Sequence, residues 1–157
     1  MDTKDTIKGK KILIIEDDRL LHNLLADKMM QLREKGIEVY PTMNAEEGMA
    51  KAVEVHPDLI LLDIVLPGMT GFEFLERLRK EAGLEKTPVI ILSNLNADTD
   101  KERARSLGAL AYLVKANLSL SEISKTVESV LHGQQITPPK EAQSDARQML
   151  TGSLVYL

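Results

Sequence analysis

The chain has 157 residues, of which 43% are hydrophobic and 3% aromatic, enough apolar material for one domain with a core of aliphatic side chains. A formal net charge of −4 argues against non-specific nucleic-acid binding, and the absence of cysteine excludes disulfides and thiolate metal sites. The polar start Met1-Asp2-Thr3-Lys4-Asp5 lacks the apolar centre of a signal peptide, and no apolar stretch approaches a membrane span, so a cytoplasmic protein without direct nucleic-acid or membrane partners is expected.

The run Lys11-Ile12-Leu13-Ile14-Ile15 stops at Glu16-Asp17-Asp18 and reads as a strand buried on both faces. Leu20, Leu21, Leu24, Leu25 and Met29 then fall at helical spacing, which predicts a helix from Arg19 to Glu34, capped by Asp18 and ended by Gly36. Ile37 to Tyr40 reads as a short strand closed by Pro41. Asn44 caps a second helix through Ala45, Met49, Ala52 and Val53, ended before Pro57. The third strand is Asp58 to Asp63, followed by the loop Leu66-Pro67-Gly68-Met69-Thr70-Gly71. Phe72, Leu75, Leu78 and Arg79 mark a third helix ending near Gly83. Pro88 opens a fourth strand, Val89 to Leu92, and a polar helix from Asp98 to Leu107 stops at Gly108. A fifth strand, Leu110 to Val114, ends at Lys115. Ser119 or Ser121 caps a last helix bearing Ile123, Val127, Val130 and Leu131.

Five β–α units in strict alternation define an α/β fold: a doubly wound, five-stranded parallel sheet with helices on both faces. After His132 the pattern fails, with Pro138-Pro139 and many Gln, Ser and Thr. Residues 10–132 are therefore read as the domain, 1–9 as an N-terminal extension and 133–157 as a flexible tail. The apolar segment Leu154-Val155-Tyr156-Leu157 is read as untethered, docking on the domain or on a partner being the alternative.

In a parallel sheet, acids that end strands converge on the carboxyl edge, where open α/β sheets bind ligands. Clustered carboxylates repel unless a proton or cation intervenes, and a hard divalent ion, Mg²⁺ or Mn²⁺, suits Glu16, Asp17 and Asp63. Ser93 and Lys115 end two further strands on the same edge. Such a set fits phosphoryl transfer, which needs positioning and neutralised oxygens more than acid–base groups. Mg²⁺ held by Asp17 and Asp63 would neutralise one phosphoryl oxygen, Lys115 would pair with another, the Ser93 hydroxyl or the Asn94 backbone N–H would take a third, and Asp63 is the best nucleophile. No Gly-x-Gly-x-x-Gly follows the first strand, which disfavours a dinucleotide site.

The Glu16-Asp17 pair, Asp63 with the following Ile64 to Gly71, Ser93, and Tyr112-Leu113-Val114-Lys115 resemble, in order and spacing, the receiver domain of two-component response regulators. The intervals are thirty positions from Asp63 to Ser93 and twenty-two from there to Lys115. The resemblance implies a stand-alone, CheY-like regulator with a flavodoxin-like fold. Asp63 would accept a phosphoryl group from a sensor histidine kinase or a histidine phosphotransfer protein, in a self-catalysed step rather than as an enzyme. Asp17 would bind the metal directly, Glu16 mainly through water, and Val65 through its backbone carbonyl. Ser93 would swing toward the phosphoryl group and Tyr112 would rotate inward behind it. That change would alter the face of the fourth helix, fifth strand and fifth helix, where a downstream protein or a second copy would bind. Leu20, Leu21 and Leu24 on the first helix would meet the kinase.

Four residues depart from the family pattern, at three places. Ala116 stands where proline usually follows the lysine, leaving the Lys115–Ala116 bond either trans in an altered loop or cis and strained. Asn94 is larger than the usual residue after the Ser/Thr. Val65 and Leu95 flank the site where polar side chains often position attacking water, so a long-lived acyl phosphate is expected. Two rival readings are a degenerate receiver acting as a constitutive binding module and an aspartate-based phosphohydrolase; Val65 disfavours the latter, standing where a second acid is expected.

Overall fold

The computed structural model describes residues 7–117, 119–133 and 154–157, with 154–156 described by backbone alone. The parallel strands are β1 (Lys11–Ile15), β2 (Glu38–Thr42), β3 (Leu59–Asp63), β4 (Val89–Ser93) and β5 (Ala111–Val114). Between and after them run α1 (Arg19–Met30), α2 (Ala45–Val55), α3 (Gly71–Leu78), α4 (Asp98–Ser106) and α5 (Leu120–Leu131). The five parallel strands are those the alternation implied. A sixth strand, β6 (Leu154–Tyr156), runs antiparallel to β5, and the sheet order is β2-β1-β3-β4-β5-β6.

Strand period and helix placement agree. Ile12, Ile14, Leu59, Leu61, Ile90, Leu92, Ala111 and Leu113 face one core, where Leu21, Leu25 and Met29 of α1 meet Ile123, Val127 and Leu131 of α5. The alternate residues, including Leu13, Ile15, Ile60, Leu62, Ile91 and Tyr112, face a second core closed by α2, α3 and α4. A sheet covered on both faces needs strands without a polar side, which is why these runs are continuously apolar.

The helix starts follow their caps. Asp18, Asn44, Thr70 and Ser119 each accept the backbone N–H three residues on through their side chains. Ser119 thus caps α5, settling the choice left open with Ser121.

Some boundaries differ from those expected. The first helix ends at Met30 and tightens into a 3₁₀ turn, Gln31–Lys35, closed by Gly36 at φ +86°. The third helix ends at Leu78 rather than near Gly83. Pro41 lies inside β2 instead of closing it. Glu38 N–H and Thr42 C=O bond to the β1 side, so by alternation Pro41 turns its missing donor to the open edge, where proline is tolerated. The tail's residues 134–153, like 1–6 of the N-terminal extension, lie outside the described residues. Within the tail, residues 154–156 pair with β5 instead of standing untethered; β5 would otherwise leave a row of backbone groups without strand partners. Among the described residues no helix is long and apolar enough to cross a membrane.

Candidate functional site

β1 and β3 are neighbours, with Ile15 opposite Leu62, so the residues that end them meet at one edge. Glu16, Asp17 and Asp63 each offer a carboxylate oxygen within 4.8 Å of the other two. Glu16 and Asp63 are buried, and Asp17 is exposed at the mouth. From β5, the Lys115 ammonium reaches across to Asp63 Oδ2 at 2.8 Å and to Glu16 at 2.7 Å from Oε1 and 3.1 Å from Oε2. Glu16 Oε2 also accepts the Asp18 N–H at 3.2 Å, whereas buried Oε1 is in ionic contact with the lysine without hydrogen-bond geometry to any group.

Three acids and one lysine leave negative charge uncompensated. Burial, and then the Glu16 carboxyl, push Asp63 up to about 6 against the Lys115 ammonium that pulls it down. Partial burial and Asp63 raise Asp17 as well. Burial opposes the charge on Lys115, but its contacts with Asp63 and Glu16 prevail and raise its pKa. Excess acid, an all-oxygen donor set and a buried carboxylate oxygen with no hydrogen bond fit a hard divalent cation.

The chain after Asp63 is built tightly. Asp63 Oδ1 accepts the Val65 N–H at 3.0 Å, and Gly71 N–H bonds to the Ile64 carbonyl at 2.8 Å, closing the loop onto α3. A Cβ on Gly71 would overlap the Asp63 carbonyl oxygen and lie 2.6 Å from Ile64 Cα, so the position admits only glycine without a backbone shift. Gly68 sits at φ +75°. Glu46, at the start of α2, accepts the Met69 N–H at 3.2 Å and so ties this loop to the neighbouring helix.

On the other side, Ser93 is fully buried and its Oγ accepts the Leu95 N–H at 3.0 Å. Asn94 is exposed. Tyr112, expected to rotate inward on switching, is already fully buried here: its hydroxyl donates to the Leu95 carbonyl at 2.7 Å, which gives the buried phenol an acceptor. Burial raises its pKa. The described residues contain no cis peptide, so Lys115–Ala116 is trans, and Lys115–Asn117 turns as a 3₁₀ segment.

Of the three helix-α1 leucines expected to meet a kinase, Leu20 and Leu24 are exposed but Leu21 is buried in the core. This corrects the place given to Leu21: the stripe at i, i+4 faces out and its neighbour faces in. Two contacts were not read from the sequence. A His22 ring nitrogen lies 3.1 Å from the Glu16 carbonyl oxygen, and Arg79 binds four backbone carbonyls, of Glu85, Thr87, Leu107 and Gly108, at 2.7–3.2 Å. No spacing signal announces either: Glu16 lies six positions before His22, and the partners of Arg79 lie six, eight, twenty-eight and twenty-nine positions on.

The doubly wound sheet gathers an acidic triad, a lysine and a buried hydroxyl at its carboxyl edge, a donor set that fits a cation beside an anionic group. Residues 12–128 match the response regulator receiver domain family, and the chain belongs to that family of two-component signalling proteins. It is 35% identical to Protein PilH of Pseudomonas aeruginosa over 124 residues, 78% of this chain and 98% of that one. It is 34% identical over 122 residues to the polar-differentiation response regulator DivK of Brucella ovis, covering 78% and 96%. Among solved structures it resembles the Vibrio cholerae chemotaxis protein CheY4 with a TM-score of 0.70 and 27% identity, over 77% of this chain and 98% of that one.

Proposed function

We propose that this receiver domain, acting in the cytoplasm, accepts a phosphoryl group on Asp63 from a phosphohistidine on a sensor histidine kinase or a histidine phosphotransfer protein, and signals through the face of α4, β5 and α5. The observation that carries the reading is the meeting of Asp63 with Glu16, Asp17 and the Lys115 ammonium at one sheet edge. Response-regulator receivers generally act as phosphoacceptors rather than as enzymes with separate substrates.

Asp17 and Asp63 would hold Mg²⁺ or Mn²⁺ directly, Glu16 mainly through water, and Val65 through its carbonyl. When bound, the cation supplies positive charge to the transferring phosphoryl oxygens. An Asp63 oxygen attacks phosphorus, an acyl P–O bond forms, the P–N bond breaks, and the imidazole leaves as the neutral base once protonated. Lys115, already 2.8 Å from Asp63 Oδ2, follows the charge onto a phosphoryl oxygen. The Ser93 hydroxyl and the Asn94 N–H serve another. Ser93 Oγ already accepts the Leu95 N–H and is in hydrogen-bond contact with the Tyr112 hydroxyl, so its proton must turn from the tyrosine to serve the phosphoryl group. Because Tyr112 hydrogen-bonds the Leu95 carbonyl, movement of the Ser93–Leu95 segment reaches β5 directly.

Val65 and Leu95 are exposed apolar side chains beside this site and offer no group to orient water. The acyl phosphate is therefore long-lived, and a half-life of seconds after donor removal would refute that. Acetyl phosphate with and without Mg²⁺, followed by intact mass, tests the main reading. A single phosphoryl gain that needs Mg²⁺ and vanishes in Asp63→Asn supports it; no gain, or a gain that survives the substitution, overturns it.

A further inference from the structure

The five parallel strands leave β5 as an edge, and in this chain that edge is covered. Leu154–Tyr156 pairs with it antiparallel, Ala111 opposite Tyr156, Tyr112 opposite Val155 and Leu113 opposite Leu154. Leu157 N–H continues the ladder to the Leu110 carbonyl at 2.9 Å, and Leu157 is half-buried against the core that holds Tyr112. In an antiparallel ladder with that bond in place, Tyr112 and Val155 form the pair that exchanges both N–H and C=O. The strand thus sits on the same β5 residue whose hydroxyl reads the Ser93–Leu95 segment.

We propose that β5 is a strand-docking edge whose resident occupant is Leu154–Leu157 of the same chain, and that this docked strand blocks self-association of two copies through α4, β5 and α5. The partner excluded is a second copy of this chain, which would bring its own β5 edge to the same row of backbone groups. The covering is backbone-directed: an edge strand presents donors and acceptors that any extended segment can satisfy, and here an intramolecular one does so first. An intramolecular strand competes at the high effective concentration set by its tether, so a second copy gains the edge only when the strand lets go. The blocking role rests on the proposed use of this face; the docking itself does not.

The test replaces Val155 with proline, which removes the N–H that faces Tyr112, with Val155→Ala as the control that keeps it. Amide hydrogen exchange is followed at Tyr112, with Leu13 and Leu61 as core reporters, and self-association is followed by sedimentation velocity, each before and after acetyl phosphate with Mg²⁺. The expected result is a protected Tyr112 amide in the parent and in Val155→Ala. In Val155→Pro that amide exchanges on the order of a hundredfold faster while Leu13 and Leu61 stay protected, and dimerisation tightens on the order of tenfold. Leu157→Pro, which removes the bond to Leu110, moves both readouts the same way. Equal Tyr112 exchange in parent and proline variants overturns the docking. Faster exchange with unchanged association overturns the blocking role. A parent that is already a concentration-dependent dimer, dissociated by the proline, shows that the strand docks between copies and overturns the intramolecular assignment. Docking that survives while Asp63 takes no phosphoryl group separates the failure of the signalling reading from that of this one.

Discussion

Asp63→Asn stabilises the metal-free protein at neutral pH, and the gain disappears in acid. Asp63 is buried with Glu16 beside it, and its pKa is pushed up to about 6 from the usual 3.8. The folded state therefore holds this proton more tightly than the unfolded chain. Folding takes up a proton between these two values, so stability falls as pH rises from about 4 to about 6 and stays depressed above. A displacement of roughly two units at about 1.4 kcal/mol each corresponds to about 3 kcal/mol above pH 7. Asparagine keeps the shape without the charge and so resembles the protonated acid. The expected gap between Asp63→Asn and the parent is about 3 kcal/mol near pH 7.5 in chelator, shrinking to near zero at about pH 4. Saturating Mg²⁺ should close it from the other side, since a ligand at a hundred times its Kd adds about 2.7 kcal/mol to the folded parent. Urea denaturation of both proteins across pH, with and without Mg²⁺, measures all three. A gap that is absent at neutral pH, or that does not change with pH, refutes the account of charge crowding at this edge.

Lys115→Ala removes the cation that bridges Asp63 and Glu16, and should cost about 3 kcal/mol at neutral pH in chelator, with part of the loss restored by Mg²⁺; urea melts in the two conditions decide it. Gly71→Ala forces a methyl against the Asp63 carbonyl and Ile64 Cα, which belong to backbone that cannot step aside, so a loss of about 2–3 kcal/mol is expected, with slower phosphorylation from acetyl phosphate. Arg79→Met strips four carbonyls of their donor while keeping the aliphatic stem, and should lower stability by about 2–3 kcal/mol without changing the Mg²⁺ dependence of Asp63 phosphorylation. A near-neutral Arg79→Met would show that water replaces the guanidinium at those loops.

What could be read in advance follows from the range of the interaction that fixes it. The strands were legible because burial on both faces forces continuous apolar runs, and α2 and α5 because Asn44 and Ser119 cap them locally. The meeting of Glu16, Asp17 and Asp63 was legible too, since the carboxyl ends of parallel strands share one edge whenever β1 and β3 are neighbours. The place of Pro41 was not, because whether a proline ends a strand depends on which side carries the partner, and that is set by sheet order. The burial of Leu21 was missed for a related reason: Leu20, Leu24 and Leu21 lie within an arc of about 100° round the helix, so their spacing does not say where the outward face ends, and the packing of α1 against α5 sets that limit.

The β5 edge is the most telling case. The segment from Leu154 to Leu157 has strand composition but is too short to announce itself, and its partner lies more than forty residues back in sequence. Only an edge with open backbone groups gives such a segment a place, and the sheet order supplies one beside Tyr112. Tyr112 then has hydrogen-bond partners on two fronts, its hydroxyl on Leu95 and its backbone toward β6. Any displacement of the Ser93–Leu95 segment by a charge on Asp63 must be accommodated by a strand held from both directions. In the proposed switch the Tyr112 ring, already held inward before any phosphoryl group arrives, has no inward rotation to make. What remains to change is the Ser93–Leu95 segment itself and the strand that covers the edge.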